Sequence, residues 1–448
     1  MKRLYDPRGL ALGTTSSEAA RHADSALWRM MSFYDAPLAD LDAAIAADPR
    51  WLLPHVMKAG FLLSLTEASM VDEARRILDH AATLDTIAPV RERAHLVAVQ
   101  HAWGGHWRDA CRLWDQILIA QPRDALALQW AHLWDFYRGD AQNLRQRPAR
   151  VLPEWDDEDP LYPYVLGLYA FGLEENNVYP QAEELGRRAV ASGAGVPWAL
   201  HAVAHVMEMQ GRYEEGAAWL RQHQRAWSEG NGFAGHLWWH AGLFHLEGLD
   251  DAGTLDIVDA YLSGDALQIT LQRLDAAALL WRLHLLGIDV GKRWEALAAQ
   301  WDYREASAGH YAFNDLHGLL ALLGSRYISR AEAWLQSVVE RAEQCKTDNR
   351  EMAREVGVPL MRGLLAFARE DFDAAVDTLY PVRAVAQRFG GSHAQRDLID
   401  QTLLAAASRG SQRALGCALL NERRVGKPPT PLTHHWAHRL GVRDDRMD

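Results

Sequence analysis

The chain has 448 residues, of which 49% are hydrophobic and 24% charged, and its formal net charge is −12. That balance supplies ample apolar material for an extended core, and an acidic chain without a basic stripe excludes nucleic acid as the main partner. Three scattered cysteines, Cys111, Cys345 and Cys417, exclude a disulfide framework or thiolate metal knuckle, and no apolar run reaches the ~18 residues of a membrane span.

Met1 to Ser16 carries charge early and has no continuous apolar run, so no secretory leader is expected and the cytoplasm is the expected location. Ala39 to Ile45 reads as a helix ending before Pro49, and Met70 to Leu84 as another, with Ala74, Leu78 and Ala81 on one face. From Arg93 to Pro122 a more telling pattern emerges: Gly105 at a turn, Trp107 two residues later, Ala110 three after that, and Pro122 as a stop. The turn–aromatic–Ala spacing returns at Asn177, Tyr179 and Ala182, at Gly211, Tyr213 and Gly216, and around Phe372 and Ala375 with Gly363 in the preceding helix. Trp238, Ala241, Gly242 and His245 echo the spacing of a first helix. Recurrence at this period is the mark of tetratricopeptide hairpins, in which a small residue lets two antiparallel helices close on each other.

No alternation long enough for a sheet interrupts these patterns. The expected fold is therefore all-α: a tetratricopeptide-type helical-hairpin solenoid, a right-handed superhelix with capping helices. Two interruptions stand out. Arg147 to Tyr164 holds four prolines and the acidic run Asp156 to Asp159, and is expected to be a long loop. Val425 to Pro431 holds three prolines. Residues 1–448 are read as a single solenoid domain, with 424–448 as a proline-containing segment and capping helix.

Several segments carry a more specific likeness. They are Gly13 to Ala19, Trp198 to Met209 (WALHAVAHVMEM), His236 to Leu243 (HLWWHAGL), Val290 to Trp294, Phe313 to His317, and Gly390 to Asp397. Together they resemble the tetratricopeptide repeat protein 38 family along nearly the whole chain. The resemblance implies an intracellular helical superhelix and brings no established reaction or ligand.

In tetratricopeptide arrays generally, the first helix of each hairpin lines the concave face. A register anchored on Gly211 and Tyr213 turns Trp198, His201, His205, Glu208 and Met209 inward. One anchored on Trp238 and Gly242 turns His236 and Trp239 inward, with His240 one turn on, and one anchored on Gly318 adds Asp315. His201 with His205 and His236 with His240 are i,i+4 pairs, which lie on one stripe of a helix. Such pairs share a metal ion or a substrate, or else serve as hydrogen-bonded core residues. The candidate ligand residues are thus Trp198, His201, His205, Glu208, His236, Trp239, His240 and Asp315. A divalent metal is the cofactor this set admits, through His201, His205 and His240.

The zincin Glu is missing after His201, and no nucleophile elbow or phosphate loop occurs. His434, His435 and His438 on the last helix read as solvated. Asp275 and Arg282 read as structural ion-pairing residues, and Gln395 to Asp397 either line the groove or cap and cross-link helices. The leading expectation is a binding protein whose groove holds a small molecule or short peptide. A metal-assisted hydrolase or lyase is the alternative and a protein–protein scaffold the third. Inward Trp, His, Glu and Met, in place of a Lys, Arg and Asn ladder, favour a compact pocket.

Overall fold

A computed structural model describes residues 4–84, 88–193 and 195–442. Among the described residues there is no β-strand, only two isolated bridges, Tyr5–Ala11 and Tyr34–Asn231. No described helix is long and apolar enough to cross a membrane. The chain divides into two compact units: residues 1–203 with 225–233, and residues 204–224 with 234–448. The division falls inside one helix, whereas the sequence reading treats 1–448 as one array.

The first unit is built from the hairpins α1 (Ser17–Ser32) and α2 (Leu38–Ala47), α3 (Leu52–Ser64) and α4 (Val71–Ala82), α5 (Val90–Trp103) and α6 (Trp107–Ala120). The hairpins α7 (Ala125–Tyr137) with α8 (Ala141–Val151), and α9 (Tyr162–Glu174) with α10 (Tyr179–Ala191), follow, and α11 (Pro197–Met209) carries the chain across the division. The second unit contains α12 (Tyr213–Gln222), α13 (Ala234–Glu247) with α14 (Asp251–Tyr261), α15 (Thr270–Leu286) with α16 (Arg293–Ala299), and α17 (Ala312–Gly324) with α18 (Ile328–Gln344). Then come α19 (Asp348–Met352), a π-turn leading into α20 (Val358–Ala368), α21 (Phe372–Arg383), α22 (His393–Arg409), α23 (Arg413–Gly426) and α24 (Pro431–Arg439).

One backbone device makes most of these hairpins. The N–H of His106, Asp140, Val178, Arg212, Asp250, Ile288, Tyr327 and Asp371 each donates to the carbonyl five residues back, at 2.8–3.0 Å. The residue before each, namely Gly105, Gly139, Asn177, Gly211, Leu249, Gly287, Arg326 and Glu370, has φ between 57° and 86°. This is the Schellman arrangement, which satisfies the last carbonyls of the first helix while reversing the chain. The second helix then starts two residues after that position in seven of the eight, and six after Gly287; its fourth residue is small and fully buried at Ala110, Ala182, Ala331 and Ala375, as is Ala74, the fourth residue of α4. At Gly216 a Cβ would come within 2.2 Å of the Phe244 ring, so the close approach there depends on the missing methyl. These hairpins are of tetratricopeptide type, as the turn–aromatic–Ala spacing predicts.

The proline-rich stretch is more ordered than the sequence suggests. α8 continues to Val151 through Pro148, a 3-10 turn spans Leu152–Glu154, and α9 begins at Tyr162, so only 155–161 forms a loop. A proline inside a helix denies its N–H to the carbonyl four residues back, here that of Leu144. Gly172 of α9 lies against that carbonyl, and Asn176 Nδ2 clamps it by donating to Ala141 O at 2.6 Å and Gly172 O at 2.7 Å.

In the second unit the first-helix layer is covered on both faces. α15 packs against α13 and α17 and also against α22, and α24 packs on α13. Trp281 of α15 donates from Nε1 to Thr402 Oγ1 at 3.0 Å, and Arg282 donates from Nη2 to Ala394 O at 2.7 Å. α13 and α15 are accordingly buried almost all round, the behaviour of helices with no polar face. The open first-helix surface expected from the repeat template is replaced here by an interior. Residues 424–426 finish α23, 427–430 form the connection and 431–439 form α24; the last six residues, 443–448, lie outside the described residues.

Candidate functional site

α11 and α13 carry the two histidine pairs. In the second unit, His205, His236 and His240 come together: the rings of His205 and His240 are 4.5 Å apart, and those of His236 and His240 are 4.9 Å apart, both edge to face. One ring nitrogen or other ligand atom from each lies within 4.8 Å of those of the others. Trp239 stacks on His236 at 5.1 Å and meets His240 edge-on at 4.8 Å. His205 and His240 are 0% exposed, so the cluster is buried.

Two carboxylates hold two of the rings. His236 Nδ1 lies 3.0 Å from both oxygens of Asp275 on α15, and His240 Nδ1 lies 3.2 Å from Glu208 Oε2 on α11. Burial pushes the Glu208 carboxyl up to about 8, against the pull of Lys427 and Arg282. Burial likewise raises Asp275, with His236 opposing it. It drives His240 well below its ordinary value, helped by His205, His236 and Arg282, so the His240 ring is neutral.

A wider charge network closes the unit around this cluster. Glu247 accepts from Lys427 at 2.9 Å and from the Thr430 hydroxyl at 2.5 Å, and Asp397 pairs with Arg423. Burial would raise both carboxyls. Lys427 and Arg423 beside Glu247, and Arg423 with Lys427 beside Asp397, hold them below their ordinary values. Arg282, fully buried, places its guanidinium 5.7 Å from the Trp239 ring and donates to Ala278 O at 3.0 Å. Such buried ions cost heavily unless paired and hydrogen-bonded, and α22 to α24 supply the pairing.

The sequence-derived candidates divide accordingly. His205, Glu208, His236, Trp239 and His240 meet in the second unit. His201 is one turn before His205 on α11 and packs in the first unit, stacked on Phe171 at 5.3 Å and against Trp198 at 5.0 Å. Trp198 itself sits among Phe33, Phe171 and Phe233. Asp315 is not drawn to the histidines: its Oδ1 accepts from Gly309 N at 3.2 Å, its carbonyl accepts from Trp334, and burial pushes its carboxyl up to about 8. Asp275 was read only as an ion-pairing residue, and no local signal links it to His236, 39 residues away. Gln395 forms a capping box with Ser392, and Asp397 cross-links to α23, so that segment caps and ties helices.

The first unit holds a cleft of about 270 Å3 lined by Tyr5, Arg8, Asp24, Trp51, Arg91 and Asp124 among others. Its buried charges are paired: Arg91 and His95 both lie 3.0 Å from Asp124, and Arg8 lies 2.5 Å from Asp24. Asp124 also caps α7 through Ala127 N, which makes this a structural tie.

No protein-family model matches the sequence. Among solved structures, the chain is similar to one described as the APC/C hetero-tetramer Cut9-Hcn1, with 13% identity over 86% of this chain and a TM-score of 0.46. It spans 63% of that chain's length. Yeast Tom70 is similar at 10% identity over 96% of this chain and 90% of its own, with a TM-score of 0.36. The structure of Naa15/Naa10 bound to HypK-THB is similar at 10% identity over 95% of this chain and 67% of that one, with a TM-score of 0.26.

Proposed function

We propose that the chain is a tetratricopeptide-type binding protein whose second unit holds a compact ligand, a small molecule or the end of a short peptide, bearing hydrogen-bond acceptors. One observation carries this reading. Beside the histidines, the buried Nε1–H of Trp239 and Nε–H of Arg282 find no acceptor among the described residues. An orphaned buried donor costs about 1–3 kcal/mol, so an acceptor brought in from outside the chain is stabilising at this position. The cover formed by α22 and α24 weighs against an extended peptide track, and hence against the scaffold reading. The histidine set favours a metal-assisted hydrolase or lyase as the second reading, and the absence of exposure at His205 and His240 weighs against turnover of a bulky substrate.

Membership of the tetratricopeptide repeat protein 38 family belongs to the same proposal. In its support, four of the six segments of resemblance form most of α11, the middle of α13 and the starts of α17 and α22. Three free thiols, Cys111, Cys345 and Cys417, suit a reducing cytoplasm.

Native mass spectrometry of the full-length protein tests the binding reading. The native ion is expected to exceed the chain mass and to return to it on denaturation, and Trp239→Phe, which keeps an aromatic side chain and removes the donor, is expected to lose the excess. A native mass equal to the bare chain, or an undiminished excess in Trp239→Phe, overturns it.

A further inference from the structure

We infer that His205, His236 and His240 form a binding site for a divalent transition-metal ion of the zinc class, with Asp275 and Glu208 as the outer-shell carboxylates that orient the rings. The inference deepens the reading of this interior as a ligand site and rests on it for location.

Three features converge. The first is proximity: candidate ligand atoms of the three residues lie within 4.8 Å of one another. Imidazole nitrogens bind zinc at about 2.0–2.1 Å, so two on one ion stand no more than about 4.2 Å apart. Even at the upper limit of the observed spacing, side-chain adjustments of less than an ångström bring them to a common centre. The second is orientation. A ligating histidine characteristically gives its other ring N–H to a carboxylate, which fixes the tautomer and raises the basicity of the coordinating nitrogen. Here Asp275 engages His236 Nδ1 through both oxygens at 3.0 Å, and Glu208 engages His240 Nδ1 at 3.2 Å. With Nδ1 so held, Nε2 is the coordinating atom of both rings. A single buried pair such as His95 with Asp124 ties helices; carboxylate partners on two rings of one cluster match the metal-site pattern. The third is support. The ligands stand on two helices, α11 and α13, with the second-shell Asp275 on α15, so the set is positioned by packed secondary structure.

The donor set also selects the ion. Three neutral imidazoles suit zinc and its first-row neighbours, whereas calcium and magnesium demand oxygen ligands. The contribution of His236 extends the sequence expectation, which paired His205 with His240 and His201.

The experiment uses the full-length protein, stripped with a chelator, desalted and titrated with Co2+ as the spectroscopic probe. One equivalent per chain is expected to bind, giving visible bands of low-coordinate, nitrogen-ligated Co2+ that an equivalent of Zn2+ abolishes. His236→Gln and His240→Gln are expected to lose the bands. Asp275→Asn, which preserves volume and is the variant of choice if the others fail to fold, is expected to weaken binding 10- to 100-fold. Absence of stoichiometric Co2+ in the wild type, unchanged affinity in Asp275→Asn, or loss of binding on replacing His434 and His438 of α24 instead would each overturn the inference. An organic mass in the native spectrum without metal removes the ion and leaves the compact-ligand reading standing.

Discussion

Gly172→Ala is the sharpest test of the packing, because one methyl group meets backbone on the other side. A Cβ built at Gly172 would lie 2.1 Å from Leu144 O and 2.5 Å from its carbon, where real Cβ contacts below 3.0 Å essentially never occur. No rotamer change relieves this clash, so α8 and α9 must separate by about an ångström. Overpacking of that kind costs about 1–3 kcal/mol, with rigid surroundings at the upper end. Separation also stretches the hydrogen bond from Asn176, at the end of α9, to Ala141 O of α8, worth about 1 kcal/mol. Against this, alanine in a helix interior is better than glycine by about 1 kcal/mol. The net loss is about 3 kcal/mol, roughly a hundredfold in a local opening equilibrium. Hydrogen exchange read on peptides from α8 and α9 should accelerate by that factor, while peptides from the second unit report no comparable change. Gly426→Ala at the end of α23, where a Cβ meets nothing within 4 Å, is the control and should leave exchange in α23 unchanged or slower. Equal or better protection in Gly172→Ala would refute the reading that the carbonyl released by Pro148 is wedged against α9.

Two further outcomes follow from single residues. Asp315 is held neutral by burial up to about pH 8, against an ordinary value of 3.8, so its stabilising contribution is complete below about pH 4 and is lost as pH rises to 8, at about 1.4 kcal/mol per pH unit. Asp315→Asn should therefore gain on the wild type in urea denaturation by a margin that grows across that window, by about 4 kcal/mol between pH 4 and pH 7; a margin flat with pH contradicts the buried neutral carboxyl. Gly211→Val places a β-branched side chain at φ 69° and 3.1 Å from Pro428 O, whereas Leu249→Gly relieves a leucine at φ 57°. Thermal unfolding should move down in the first and up in the second, by about 2 and 0.5–1 kcal/mol, and shifts of the same sign would contradict the shared turn geometry.

The hairpins were legible in the sequence at Gly105, Asn177 and Gly211, where an aromatic and a small residue follow the left-handed position; Gly139 and Gly287 hold that position without the aromatic two residues on. The same turn at Leu249 and Arg326 left no mark, since neither residue favours positive φ, and there the tertiary contacts of the paired helices overrule local preference. Pro148 misled in the opposite direction. A proline in a polar stretch reads as a helix breaker, yet α8 absorbs it because Gly172 and Asn176, more than twenty residues away, accommodate the altered backbone.

For the site, the i,i+4 spacing of the histidines was enough to align each pair, because helix periodicity is local. What it could not supply is the partner across the helix interface. Asp275 reaches His236 only once α15 packs on α13, and Lys427, Arg423 and Thr430 reach Glu247 only once the C-terminal helices fold back. The sequence did contain one warning that the first-helix layer is not an open surface. The run Ala276 to Leu286 of α15 is apolar apart from Arg282 and His284, and a helix apolar on every side must be covered on every side. The repeat template leaves one side to solvent. α22 supplies the missing cover, and its arrival turns the lone Arg282 from a surface charge into a buried one, bonded to Ala394 O and set beside Trp239. A cation so placed, next to three histidines and two carboxyls, would be an energetic burden to a purely structural core, because apolar residues of similar volume would pack there at lower cost. Its presence is the physical reason to seek the work of this protein in the interior of the second unit rather than on the exposed faces of its repeats.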